Sequence, residues 1–396
     1  MKKVAIIGGG FSGLVLAFKL SEKYEVEVFE QSSKVGGLLE TFTYQKVIIE
    51  KYYHHFFESD YALLDLMKEL GIANKIQWLD ARMSIIYKQK FYSFSNVYDF
   101  LAFPFFEVTS KIRVISLGIF DQIFRLNLSP QKLFGEEIWK KLWEPLLKQK
   151  FGDFSENIHK SWLNSRIKKR EKLRIFGYEK LGYPKNSFNI LTERLVEKIL
   201  EKGGKIFLNR RIVELNERDG SYCIGNKKYD FIVSTLPSCK NELLVGQKIN
   251  NTHYLAAICA ILITRDKLTN FYWNNVLDTK ISFSGVIEQS NLAPYPFHIS
   301  YLTKYIDPSS ELYNLPNAEL LDILKNDLCL IKPKTKIIDS FIFKYRYAQP
   351  IILEKPSMSH QIKNNFYQVN MEYIYPHDRG LNETIILINN FIKKIK

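Results

Sequence analysis

The chain has 396 residues, 46% of them apolar, with 56 Lys and Arg against 42 Asp and Glu and a formal net charge of +14. That length suits two domains with large cores, and the composition excludes a disordered chain. No apolar run, "FLAFPFF" included, approaches the length of a membrane span. The four cysteines, Cys223, Cys239, Cys259 and Cys329, show no C-x-x-C spacing. They point to buried thiols in a reducing compartment and to no metal site.

The first element, "VAIIGGGFSGLVLAFKL" at 4–20, follows two lysines and invites two readings. A basic start before an apolar stretch is how a secretory signal begins. Three adjacent glycines interrupt the helix that a signal needs, and no A-x-A site follows. The same residues fit a strand, a glycine turn and a helix. Gly8, Gly10 and Gly13 match G-x-G-x-x-G. The first glycine permits the tight turn, the second lets backbone approach a pyrophosphate, and the third lets helix pack on strand. Helix N–H groups at Phe11 and Ser12 then face the phosphates. Leu14, Ala17, Phe18 and Leu20 form the buried face. A second strand, "EVEVFE", ends in Glu30, a carboxylate where ribose hydroxyls belong. The expected location is the cytoplasm, with the inner membrane face as a peripheral alternative.

The next stretch, "EQSSKVGGLLETF", carries a second glycine pair, Gly36–Gly37. A plain NAD domain has no need of it, whereas the longer FAD can use a second close backbone turn. From "GGGFSGLVLAFKLSEKYEVEVFEQSSKVGG" the chain resembles the opening of the superfamily of amine oxidases, protoporphyrinogen oxidases, phytoene desaturases and UDP-galactopyranose mutases. The resemblance implies FAD, bound without a covalent link, and contacts from Gln31, Lys34 and Leu38. Ser32 stands where the family often has arginine, and Lys34 is the substitute cation.

Two later blocks carry the same resemblance. "EKLGYPKNSFNILTERLVEKILEKGGKIFLNRRIVELN" reads as a helix with Leu191, Leu195, Ile199 and Leu200 on one face, then the strands "KIFLN" and "RIVEL". It resembles the third FAD segment, with backbone at Val213 holding the adenine. Lys185, Asn186 and Ser187 stand where the family has paired glycines. "YDFIVSTLP" resembles the strand that ends under the flavin, with Thr235 in its turn. At the far end, "NNFYQVNMEYIYPHDRGLNETIILINNFIKKIK" reads as strand, turn and terminal helix. Asp378, Arg379, Gly380 and Asn382 match the element whose acid meets the ribityl chain. Helix capping by Asp378 or Asn382 is the plainer reading.

The implied fold is α/β: a Rossmann-like FAD domain (1–40, 185–245 and 345–396) interleaved with a mixed α+β substrate domain (41–184 and 246–344). Within the latter, "SDYALLDLMKELG" is an amphipathic helix that Asp60 can cap and Gly71 can stop. The aromatic-rich 91–126 is either core or a surface for a lipid-like substrate. The basic run at 166–174 is either a solvated face or a headgroup contact. "EKYYHHFFESD" resembles the segment that puts a histidine beside the flavin ring in galactopyranose mutases. His54 and His55 alternate, so only one faces the flavin. That imidazole either shuttles a proton near neutral pH or tunes the flavin by hydrogen bonding. A pair of packing histidines is the rival.

The expected function is therefore hydride transfer from a small-molecule or lipid-linked substrate to flavin N5. The alternatives are a redox-neutral sugar mutase and a non-catalytic flavin-binding or membrane-associated assembly protein. The charge of +14 favours anionic partners, but no nucleic-acid motif accompanies it. A second dinucleotide motif is absent, so electrons would leave to oxygen, a quinone or a transient partner. The sequence does not assign an oligomeric state.

Overall fold

The computed structural model describes residues 1–124, 128–158, 160–168, 177–218, 221–249, 252–353 and 359–395. The chain forms two compact units: Met1–Gln77 with Gly182–His253 and Glu354–Lys396, and Trp78–Leu181 with Tyr254–Leu353. The first segment of the first unit runs past the expected exchange at residue 40. It takes in the hairpin β3 (Thr41–Tyr44) and β4 (Val47–Glu50), the histidine segment and the helix Tyr61–Glu69.

The first unit is built on β1 (Lys3–Ile7) and β2 (Glu25–Phe29), linked by helix α1 (Phe11–Leu20). Its sheet has the order 205–207, 25–29, 3–7, 231–234, 366–368, 361–363. The strands are parallel until the last, which returns antiparallel on Phe366–Gln368. Parallel strands are buried on both faces, and β1 reads accordingly as an unbroken apolar run from Val4 to Ile7. Ala5 and Ile7 point to a cluster with Tyr222, Ile224 and Tyr229 of a small antiparallel sheet. On the helix side, α1 packs against Asn189–Glu201 and Leu381–Lys394. Leu14, Ala17, Phe18 and Leu20 are buried as their spacing requires. Leu191, Leu195 and Ile199 are buried too, but Leu200 is exposed, one step round the helix from its stripe.

Two local expectations change. "RIVEL" is not a strand: residues 208–215 have no regular structure, and the strand Asn216–Arg218 begins only after them. Backbone N–H groups of Asn209 and Arg210 instead bind the carbonyls of Ser32 and Glu30, at 3.0 and 2.8 Å. The helix Tyr61–Glu69 takes no cap from Asp60, whose Oδ2 turns back to the Phe57 N–H at 2.9 Å. The cap is the side-chain oxygen of Asn382, accepting from Ala62 and Leu63 N–H. Gly71, at φ +73°, ends that helix as expected.

The second unit carries a sheet ordered 337–351, 253–264, 298–306, 285–288, 273–276, 83–87, 90–93. Helix Asn317–Ile331 lays Leu320, Leu324 and Leu328 on one face, against Ile258, Leu262, Val286 and Leu302. Most of the aromatics of the 91–106 stretch are core: Phe103 and Phe106 are buried with Ile85, Ile138 and Leu142. Farther along, Val108, Ile112 and Ile119 remain exposed. The side chains of the basic run at 166–174 lie outside the described residues. Among the described residues, no helix is long and apolar enough to cross a membrane.

Candidate active site

All the site residues described here belong to the first unit. The three motif glycines are glycine for different reasons. Gly8 has φ +106°, and a Cβ there would meet Thr235 Oγ1 at 2.4 Å. A Cβ on Gly13 would lie 1.8 Å from the Gly8 carbonyl oxygen, so helix and turn could not close. Gly10 differs. Its backbone is ordinary, φ −71°, and a Cβ would meet nothing nearer than 3.9 Å. The protein itself has no need of glycine there, so the space is left for something else.

That space lies at the start of α1, which has neither a side-chain cap nor an acid in its first turn. Its N–H groups at Phe11, Ser12 and Gly13 and its dipole favour an anion. Glu30 closes the other side. Its carboxylate accepts from Gly9 N–H at 2.7 Å and Ser32 N–H at 2.8 Å. Each oxygen keeps a lone pair free for a ribose hydroxyl.

The second glycine pair does a job the sequence did not reveal. Gly36 and Gly37 have φ of +121° and +59°. Gly36 N–H binds the Gly9 carbonyl at 2.9 Å, and a Cβ on Gly37 would sit 3.2 Å from Gly10 Cα. The pair is packed against the first loop and fixes its shape. Gln31 and Lys34 are exposed, and Leu38 is half-buried. Thr235 donates both its N–H and its hydroxyl to the Ile7 carbonyl beside Gly8. Val213 is exposed on the segment moored at Asn209 and Arg210.

From the far end of the chain, Gly380 starts the helix Leu381–Lys394, and Asn382 spends its amide oxygen on the helix Tyr61–Glu69. The amide nitrogen of Asn382 lies 3.4 Å from Glu383 Oε1. A residue the sequence reading passed over is Glu372, buried just after the strand Phe366–Gln368. It accepts from Ser238 N–H at 3.0 Å, from the Ser238 hydroxyl and from Thr252 at 3.2 Å. It thereby ties the C-terminal block to the turn after Thr235. An acid following the last parallel strand was the available signal.

The two histidines lie in irregular backbone just before the short strand Phe56–Phe57, and their rings meet different partners. His55 packs edge-on against Phe57, ring centroids 5.4 Å apart. His54 turns to Phe188 at 5.8 Å, and its Nδ1 lies 2.8 Å from the Tyr52 carbonyl. The residue keeps some exposed surface, yet protein packed around its ring pushes its pKa down to about 4. The nearby Arg379 cation adds to this, while the Tyr52 carbonyl opposes it. A carbonyl only accepts, so Nδ1 carries the proton and neutral His54 presents Nε2 as an acceptor. His54 and Arg379, predicted from segments over 300 residues apart, thus share one neighbourhood. Among the described residues, no group of three or more His, Cys, Asp or Glu could hold a metal ion.

The sequence profile of flavin containing amine oxidoreductases matches residues 11–336. The chain belongs to that family. Its cofactor is FAD, and the open cradle at Gly10, the bare start of α1 and the Glu30 carboxylate fit one. No curated protein sequence matches this family member. Its fold is that of several solved structures. One, from Exiguobacterium sp. 255-15 and provisionally called a protoporphyrinogen oxidase, superposes with a TM-score of 0.76 at 15% identity, over 100% of this chain and 98% of its own. A reduced UDP-galactopyranose mutase gives 0.74 at 15% identity, over 99% and 96%. A putrescine oxidase with bound putrescine gives 0.65 at 12% identity, over 100% and 98%. Oxidases and a mutase thus share the fold, and fold alone does not choose between them.

Proposed function

We propose that this chain is an FAD-dependent oxidoreductase that removes a hydride from a C–N or C–C unit of a small-molecule or lipid-linked substrate. The observation that carries the reading is Gly10, a glycine whose missing side chain serves no contact within the protein. Bound FAD supplies two-electron acceptance, and the protein contributes position and electrostatics. The N-terminus of α1 holds the pyrophosphate, and Glu30 holds the ribose. His54 stays uncharged at neutral pH, because its pKa is near 4. A proton shuttle works best with a pKa near the working pH. Its role here is therefore to accept a hydrogen bond at Nε2 and orient a donor on the ligand. Arg379 beside it favours an anionic group.

The test begins with the absorbance of the purified protein and its Gly10→Val variant. Wild type should be yellow, with FAD released intact by acid, and G10V should lose most of it. A G10V protein with full FAD would overturn the site. Anaerobic mixing with candidate amines and unsaturated or saturated ring substrates should bleach the flavin. Product formed with no electron acceptor and no bleaching would instead establish a redox-neutral reaction.

A further inference from the structure

The turn at Asn186 and Ser187 is unusual for this chain. Both residues lie in the left-handed region, at φ +65° and +83°. Among the described residues, the other consecutive left-handed pairs without glycine, Gln45–Lys46 and Lys88–Gln89, sit in two-residue hairpins, where that conformation matches strand twist. The 186–187 pair has no hairpin to support it. It leads directly into a helix, and Ser187 is buried. Strained backbone of this kind persists only where its surroundings hold it.

Besides the Ser187 N–H bond to the Pro184 carbonyl at 3.2 Å, what holds it is Glu50, the last residue of β4, fully buried. Glu50 Oε1 accepts from the Tyr183 hydroxyl at 2.6 Å and from the Phe188 N–H at 2.9 Å. One carboxyl oxygen therefore grips both flanks of the turn. The Ser187 hydroxyl also reaches this carboxyl, whose pKa burial raises. Phe188 is fixed in turn between the rings of Tyr183 and Phe56, at 5.6 and 6.1 Å, and its ring lies 5.8 Å from that of His54 at an interplanar angle of 62°. Behind Phe56 stands Gly182, where any Cβ would lie 2.1 Å from that ring.

We propose that Glu50 is a positioning residue for the His54 site: its hydrogen bonds hold the left-handed turn that sets the Phe188 ring against the imidazole. A buried acid is an expensive way to fill a core. Here it satisfies a buried N–H and a buried hydroxyl while over-determining a strained turn. The effect on His54 acts through packing, since burial is the main reason that ring resists protonation, with the Arg379 charge second. The part of the proposal that concerns flavin rests on the function proposed above. The part that concerns the imidazole does not.

The experiment is an NMR titration of the histidines in the purified full chain, with His54 assigned by loss of its signal in His54→Gln. Wild-type His54 should stay uncharged to about pH 4. Glu50→Ala should loosen Phe188 and raise that midpoint by about one unit or more, toward the ordinary value for histidine. Adding Asn186→Gly and Ser187→Gly to E50A should bring it back, because glycine adopts the turn without being held. An unchanged titration in E50A, or no recovery with the glycine pair, would overturn the proposal. Should E50A not fold, Glu50→Asp, one methylene short of Phe188, takes its place with the same outcomes. Bound FAD is scored in the same samples. A protein that never takes up FAD would sink the functional reading and leave the titration to decide the role of Glu50.

Discussion

His54 and His55 are neighbours with different ring partners, and exchanging each for alanine should separate the roles proposed for them. His54→Ala should leave FAD content near wild type and slow flavin reduction by substrate, by roughly 10-fold or more for a lost orienting hydrogen bond. His55→Ala should lower the melting temperature through lost packing on Phe57, with flavin reduction per bound FAD unchanged. Equal losses from both would return the segment to the core. The His54 pKa, depressed from 6.5 to about 4, also has a thermodynamic sign. Its contribution to stability is present above pH 6.5 and lost as pH falls toward 4, where the unfolded chain binds the proton first. Glu288 runs the other way. Buried in the second unit, it binds Leu268 N–H and the Ser300 hydroxyl through one oxygen, and burial lifts its pKa to about 7. A raised acid stabilises fully below its unfolded pKa and loses that contribution as pH rises through 7. Glu288→Gln should therefore unfold later than wild type at pH 8, by an amount on the order of 3 kcal/mol at most. Chemical denaturation at pH 5 and pH 8 measures it, and an equal difference at both would refute the assignment.

Among the elements, those legible in the sequence were the ones whose pattern is local. Strand, glycine turn, helix and strand at 3–29 follow from alternation, φ requirements and a 3.6-residue stripe within one short segment. What the sequence could not show depends on partners far along the chain. "RIVEL" has the apolar content of a strand, but the 208–215 backbone is committed to the Glu30 loop before it can pair. Asp60 has the right type and place to cap the helix Tyr61–Glu69, yet the cap comes from Asn382. The glycine pair at 36–37 was visible, but its use in bracing the first loop was not, because nothing local records which backbone lies opposite. The same holds for Glu372, whose partners Ser238 and Thr252 are over 100 residues away. The Asn382 cap predicts a measurable cost. Asn382→Ala should destabilise the first unit by about 1 kcal/mol, in the range for lost caps. Asn382→Asp should restore it, since aspartate also accepts from helix N–H groups. Thermal melts of the three proteins check this, and a harmless alanine would mean that another group serves the helix.

For the whole molecule, cofactor and fold should be thermodynamically linked. The Gly10 cradle, the α1 terminus and Glu30 exist only in the folded first unit, so FAD should raise the melting temperature in proportion to RT ln(1 + [FAD]/Kd), about 2.7 kcal/mol at a hundredfold excess over Kd. G10V should show no such rise while its own melt stays near that of the wild-type protein without FAD, since a Cβ at Gly10 meets nothing nearer than the Gly37 Cα at 3.9 Å, an ordinary contact. A G10V protein that melts far lower would mean the glycine serves the fold after all. The surplus of positive charge, +14, is a property of the whole chain. It should make association with anionic ligands faster at low salt, a dependence that stopped-flow FAD binding at two ionic strengths would read.

The bond between Asn382 and the start of the helix Tyr61–Glu69 spans 320 residues of chain. A ribosome adding roughly 5–20 residues per second takes about 16–64 seconds to cover that span. Throughout that interval the helix has been made but its cap has not. The sheet likewise lacks Phe366–Gln368, which cannot pair with Phe231–Ser234 until it has been synthesised. Uptake of FAD should therefore come late in the life of a nascent chain. Ribosome-bound chains halted near residue 350 should not retain the cofactor, and the exposed flanks of the unfinished sheet make that interval the one in which chaperones matter most.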